Sequence, residues 1–179
     1  AIETGRAPLS TGEDGRAAIE VIMGIYESER RGHVRVDLPL AIEVGDLDFR
    51  RLLRGFYGPE RIQGASARWT SGRAEIALPR LPAGGSAVAL LLRVATLRPP
   101  GAAAPNVRLS IDGMPAGSID RPGAAFSIYQ IALGPHVAAR LRAGAATLTI
   151  ASDTFVPGAA GGGGDVRALG VVVDWLRLE

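Results

Sequence analysis

The sequence predicts a mainly β fold: a two-sheet antiparallel β-sandwich, jelly-roll-like, preceded by an N-terminal α-helix and a short strand. Three observations predict it. Short alternating apolar runs recur between Gly- and Pro-rich turns from Ala41 to Glu179. A helical stripe stands before them, near the N-terminus. No strand–helix–strand rhythm follows, which argues against a parallel α/β sheet. The pattern changes at residue 40, so the chain divides into residues 1–40 and 41–179.

In the first segment, Ser10 and Glu13 stand at capping-box spacing. Ala18, Ile22, Ile25 and Tyr26 follow at helical spacing, and Ile19, Val21 and Met23 widen the stripe. Arg30 and Arg31 complement the dipole of the last turn, and Gly32 is a good stop. Val34, Val36 and Leu38 alternate as a short strand. The apolar stripe needs a cover: the second segment, another copy of the chain, or fraying.

In the second segment, Ile42 and Val44 begin a strand that ends at Gly45-Asp46. Phe56 and Tyr57 sit between Gly55 and Gly58-Pro59, which predicts an exposed loop. Ala67–Thr70 and Ala74–Leu78 flank a Ser71-Gly72 turn. Val88–Leu97 reads as a long strand, buried in part on both faces. Val107, Leu109 and Ile111 run into Asp112-Gly113, a tight-turn signal for a hairpin to Ile119. Phe126–Leu133, the stretch around Leu148 and Ile150, and Val171–Leu178 complete the strands. Residues 136–142 read as one helical turn, and Gly161–Gly164 as a flexible loop.

Composition narrows the function. In 179 residues, 47% are hydrophobic but only 5% aromatic, so the core must be aliphatic. The net charge is +2, and the arginines are scattered without interleaved aromatics, which argues against a nucleic-acid partner. Lysine is absent, as a GC-rich coding bias would produce. The absence of cysteine excludes disulfides, thiolate metal sites and a cysteine nucleophile. The longest apolar run, Ala87–Leu92, is cut by Arg93 and is too short to span a membrane.

Residues Ser10–Arg16, Ile25–Ser28 and Gly32–Leu40 resemble the C-terminal tail of the glucose–fructose oxidoreductase/inositol dehydrogenase family. The resemblance implies a nicotinamide-dependent enzyme whose Rossmann domain and catalytic lysine would lie upstream of Ala1. This chain holds no lysine and no G-x-G-x-x-G following a strand, so no cofactor is expected on it.

Gly55–Glu60, Arg68–Thr70, Leu78-Pro79, Ser152–Pro157 and Asp165–Val171 resemble β-sandwich accessory modules of bacterial cell-envelope, glycosyltransferase-associated proteins. That likeness implies an extracytoplasmic, non-catalytic module. A cytoplasmic place would follow instead from the oxidoreductase reading.

Four groups of residues bear on chemistry. Trp69, Trp175, Phe56 and Tyr57 are candidates for stacking on the C–H faces of sugars. Trp69 and Trp175 read equally as core, the favoured reading for Trp69. Glu60, Arg68, Asp165 and Arg167 form either a polar ligand site, with an arginine fork for a carboxylate or phosphate, or an ion-pair network. The network reading is favoured, pairing Glu60 with Arg68 or Asp165 with Arg167. Asp153, Asp165 and Asp174 are weak calcium candidates without a D-x-D-x-D-G loop. His33 and His136 lack zinc spacing, and no nucleophile elbow is present.

The expected function is a non-catalytic accessory module that binds a glycan or an envelope protein, with Phe56, Tyr57, Glu60, Arg68, Trp69, Asp165 and Arg167 as contacts. No metal and no catalytic residue is expected. The alternatives are a C-terminal fragment of a nicotinamide-dependent sugar oxidoreductase fused to a sandwich, and a self-association domain joined through the N-terminal helix.

Overall fold

A computed structural model describes residues 12–30, 32–33, 41–45, 49–81, 88–99, 102–158 and 164–179. Contacts divide the chain into two compact units, Ala1–Ala41 and Ile42–Glu179.

The first unit carries helix α1, Gly12–Arg30. Its C-terminus closes as the sequence suggests. The Gly32 amide donates to Glu29 O at 3.0 Å and the His33 amide to Ser28 O at 2.8 Å, the paired bonds of a Schellman motif. The apolar side chains Ile19, Ile22, Met23 and Tyr26 are exposed, as are Val21 and Ile25. The Ser10 cap and the strand expected at Val34–Leu38 lie outside the described residues.

The second unit is the antiparallel sandwich. Its strands are β1 (Ile42–Glu43), β2 (Leu52–Ile62), β3 (Ala65–Leu78), β4 (Ala89–Ala95), β5 (Asn106–Ile111), β6 (Met114–Asp120), β7 (Ser127–Ala132), β8 (Ala146–Ser152) and β9 (Val172–Leu178). The main path runs β6-β5-β8-β3-β9-β4-β7, with β1 beside β9 and β2 beside β3. Strand β3 belongs to both layers. Its C-terminal half pairs with β8 from Arg73↔Ala151 to Leu78↔Ala146. Its N-terminal half pairs with β9 at Arg68↔Val173 and Trp69↔Val172. The path folds over at this fork.

The two ends of the path, β6 and β7, approach each other. A Cβ at Gly117 would lie 2.4 Å from Ile131 Cγ2, so only glycine permits that closeness.

Period-two alternation explains the core. Leu90, Leu92 and Val94 of β4 point inward with Ile76 and Leu78 of β3, Leu148 and Ile150 of β8, and Val107, Leu109 and Ile111 of β5. Burying each such side chain contributes about 1.5–3 kcal/mol. At the end of β4 the opposite face is covered too, since Ala95 belongs to a second cluster with Trp69, Ala67, Leu169 and Val172.

The structure corrects three expectations. The Ser71-Gly72 turn is absent: β3 runs through it unbroken, with positive φ at Gly72, where β8 and β9 part. The Gly55–Pro59 loop is a strand, β2, with register shifts at Leu52/Arg54, Arg54/Phe56 and Phe56/Pro59. Gly55 has φ 79, and a Cβ there would sit 1.9 Å from Arg73 O. Residues that signal a turn serve here as bulges on an edge strand, where Pro59 loses no needed ladder bond. Finally, the single helical turn is a longer helix, α2 (Pro135–Ala143), which buries Val137, Ala138 and Leu141. Pro135 opens it, where a missing N–H costs nothing.

Candidate functional site

Antiparallel pairing brings one set of strand ends together. Strands β2, β4, β6 and β8 finish where β3, β5, β7 and β9 begin. The connections after Ile62, Ala95, Asp120 and Ser152 therefore meet at one end of the sandwich. The second hydrophobic cluster lies at this end, with Tyr57, Ile62, Leu97, Phe126 and Phe155 packed around its buried members.

Tyr57 and Phe56 take opposite faces of β2. Phe56 packs on the inner core and Tyr57 on the outer cluster. Both are half-buried, so the exposed aromatic pair expected from the sequence does not form. The Tyr57 hydroxyl donates to Ala168 O at 3.1 Å, which ties β2 to the segment before β9.

Arg167 lies over Tyr57, its guanidinium carbon 5.1 Å from the ring centroid. Its Nη1 donates to Glu60 Oε1 at 2.6 Å. Its Nε donates to Asp165 Oδ1 and Oδ2 at 3.0 and 3.1 Å, and its Nη2 to Asp165 Oδ2 at 2.7 Å. The Arg167 backbone amide also donates to Asp165 Oδ1 at 3.0 Å, an Asx-type turn that fixes the carboxylate. The three side chains remain 34% (Arg167), 36% (Glu60) and 29% (Asp165) exposed. The side-chain bonds from Arg167, and then its backbone N–H, hold the Asp165 carboxyl below the usual aspartate range. Bonds from Asp165 and Glu60 raise the Arg167 guanidinium in turn.

Arg68 does not join this group. Its Nε donates to Val44 O and Gly45 O at 2.9 and 2.8 Å, and its Nη1 to Tyr57 O at 3.1 Å. The expected Glu60–Arg68 pair is thus replaced by Glu60–Arg167, whereas Asp165–Arg167 forms. The reason is strand parity. Glu60 stands opposite Ala67 of the outer cluster, and Arg68 is the next residue along β3.

Trp69 is buried and meets the edge of Phe155 at 5.8 Å between centroids. It is a core residue of the outer cluster. Trp175 is half-buried on β9. Two further arginines cap aromatic rings that the sequence reading did not single out. Arg98 stands 5.4 Å from the Phe155 centroid, and Arg93 stands 4.7 Å from that of Phe126. Arg93 also pairs with the buried Asp174. Arg98 gives its Nη donors to the carbonyls of Ala103 and Asp153. The partners lie up to 81 residues apart in sequence, and no local spacing announces them.

The three aspartates considered for calcium are apart in role: Asp165 binds Arg167, Asp174 binds Arg93, and Asp153 is exposed. Among the described residues, no three His, Asp or Glu side chains gather for a metal ion.

No protein-family model matches this sequence, and no curated protein matches it either. Similar solved structures include the CBM36-1 domain of a multidomain xylanase from the hindgut metagenome of Trinervitermes trinervoides. That domain is 14% identical, with a TM-score of 0.45, over 78% of this chain and 94% of its own. A CBM36 carbohydrate-binding module solved with calcium and xylotriose is 14% identical, with a TM-score of 0.43, over 78% of this chain and 98% of its own. A family 35 carbohydrate-binding module from Clostridium thermocellum is 13% identical, with a TM-score of 0.45, over 77% of this chain and 96% of its own.

Proposed function

We propose that residues 42–179 form a non-catalytic binding module that takes a glycan at the loop end of the sandwich. The contacts are Glu60, Asp165 and Arg167, and Tyr57 is the platform beneath them. The observation that carries this reading is the ordered, part-exposed trio around Arg167. Carboxylate oxygens accept from sugar hydroxyls, and the two Nη groups each keep a second N–H to donate. The trio is pre-ordered by its own bonds, so binding costs little side-chain entropy.

Both carboxylates of the trio are engaged by the Arg167 guanidinium, which supports a binding role for them. An extracytoplasmic place at the cell envelope rests on the sequence resemblance of residues 41–179.

The test is an amide-resolved NMR titration with a panel of plant, fungal and bacterial oligosaccharides. The expected shifts centre on Tyr57, Glu60 and Arg167. An unchanged spectrum at millimolar glycan, or shifts confined to another face, would sink the reading.

The exposed stripe of α1 favours a second activity, association of two copies through Ile19, Ile22, Met23 and Tyr26. Sedimentation of the whole chain checks it. A monomer at all concentrations removes it.

A further inference from the structure

We infer that the Arg167 site selects uncharged polyhydroxyl ligands and discriminates against acidic ones such as uronic-acid or phosphorylated sugars. This rests on the glycan reading above and names the ligand class for that site. An isolated arginine on a binding surface invites the opposite expectation, because its fork matches a carboxylate or phosphate. Here the fork is already filled. Nε and one N–H of Nη2 are committed to Asp165, and one N–H of Nη1 to Glu60. Asp165 closes the Nε–Nη2 edge of the fork and Glu60 holds Nη1, so a bidentate anion must approach beside two carboxylates already bound there.

Charge balance points the same way. One guanidinium faces two carboxylates, which leaves the trio with a surplus negative charge. The arginines next to Glu60 and Ala67 along β2 and β3, Arg61 and Arg68, do not offset it on this face. Arg68 follows Ala67 and precedes Trp69 on β3, so its side chain takes the other face, where the carbonyls of Val44 and Gly45 hold it. Arg61 follows Glu60 on β2 and alternates away by the same parity. A neutral hydroxyl meets no such repulsion. It donates to a carboxylate and accepts from a free N–H of Arg167.

The experiment compares xylohexaose and mannohexaose with hexagalacturonate at pH 7 and low salt, read by the amide shifts of Tyr57, Glu60 and Arg167. A neutral hexasaccharide is expected to bind about tenfold or more tightly than the oligouronide, a gap that narrows as salt rises. In Glu60→Gln, an isosteric change that removes the surplus charge, the ratio between the two classes is expected to fall. Oligouronide binding as tight as the neutral sugars, or a ratio unmoved by Glu60→Gln, overturns this inference and leaves the glycan reading standing. Silence from both classes, together with the wider panel, removes the glycan reading and this inference together.

Discussion

The sandwich has two hydrophobic clusters, and they are built differently. The inner one is aliphatic, drawn from alternating Val, Ile and Leu on most of the strands. The outer one gathers Trp69, Tyr57, Phe126 and Phe155 at the loop end, with Arg93, Arg98 and Arg167 laid over three of the rings. The inner cluster has only to exclude water, and shape decides it. The outer cluster holds charge close to apolar rings and keeps part of it in contact with solvent. The proposed function assigns stability to the first and recognition to the second, and substitutions should separate them.

The largest effect is expected inside. Leu92 is fully buried between the layers, so Leu92→Ala should cost about 2–5 kcal/mol, from lost transfer energy plus the cavity left behind. Chemical denaturation measures it, and a loss below 1 kcal/mol would show that the layers close over the gap. Ligand shifts at Tyr57 and Arg167 should survive wherever the variant is still folded.

Next comes the strand that joins the clusters. Gly55 sits in the left-handed region, with Arg73 O where a Cβ would go. Gly55→Ala should destabilise by roughly 1–3 kcal/mol through backbone strain. It should also displace Tyr57 and Glu60, so binding weakens along with stability. Stability unchanged from the parent would mean that β2 re-registers freely, against the bulged pairing seen here.

These two positions also show how much was legible beforehand. Leu92 was readable as part of a buried strand, because the apolar run Val88–Leu97 is a local property of the chain. The Asp112-Gly113 hairpin was readable for the same reason, and β5 and β6 pair across it as the turn chemistry dictates. Gly55 was not. Its glycine and the nearby Gly58-Pro59 carry the local signature of a loop, and only the pairing partner decides between a loop and a bulged edge. Trp69 reads from the sequence both as a contact and, by preference, as core, and it is buried in the outer cluster. For the site, Asp165 and Arg167 were readable as a pair, being two residues apart. The third member, Glu60, lies 107 residues from Arg167 and was first matched with the wrong arginine. Strand parity settles that choice, and parity depends on a register that the bulges shift.

Arg167→Ala should divide the clusters most cleanly. The trio is about one-third exposed, so solvent screens its ion pairs and they add little to stability. Glycan binding should nonetheless fall by at least tenfold, since each removed charged hydrogen bond is worth about 1.5–3 kcal/mol. Denaturation and titration of one sample read both numbers. A loss of several kcal/mol in stability with binding intact would make Arg167 a structural strut and not a contact.

The smallest effect is a titration. The Asp165 carboxyl is held below its ordinary value of 3.8, first by the side-chain bonds from Arg167 and then by its backbone N–H. A depressed folded value means that the unfolded chain takes up the proton first as the pH falls. The Asp165–Arg167 latch is therefore at full strength above pH 3.8 and weakens as acid carries it through its depressed range. Glu75 provides an internal control. Arg54 and Arg73 lower its carboxyl in the same way from an ordinary 4.5, on β3, outside the Arg167 trio. Carboxyl-carbon NMR should find both residues titrating below their ordinary values. In Arg167→Ala, Asp165 should move back toward 3.8 while Glu75 stays where it was. If both carboxyls shift together, the coupling is global and the outer cluster is no separate unit. If only Asp165 moves, the charge at the loop end is governed locally by the arginine that lies over Tyr57.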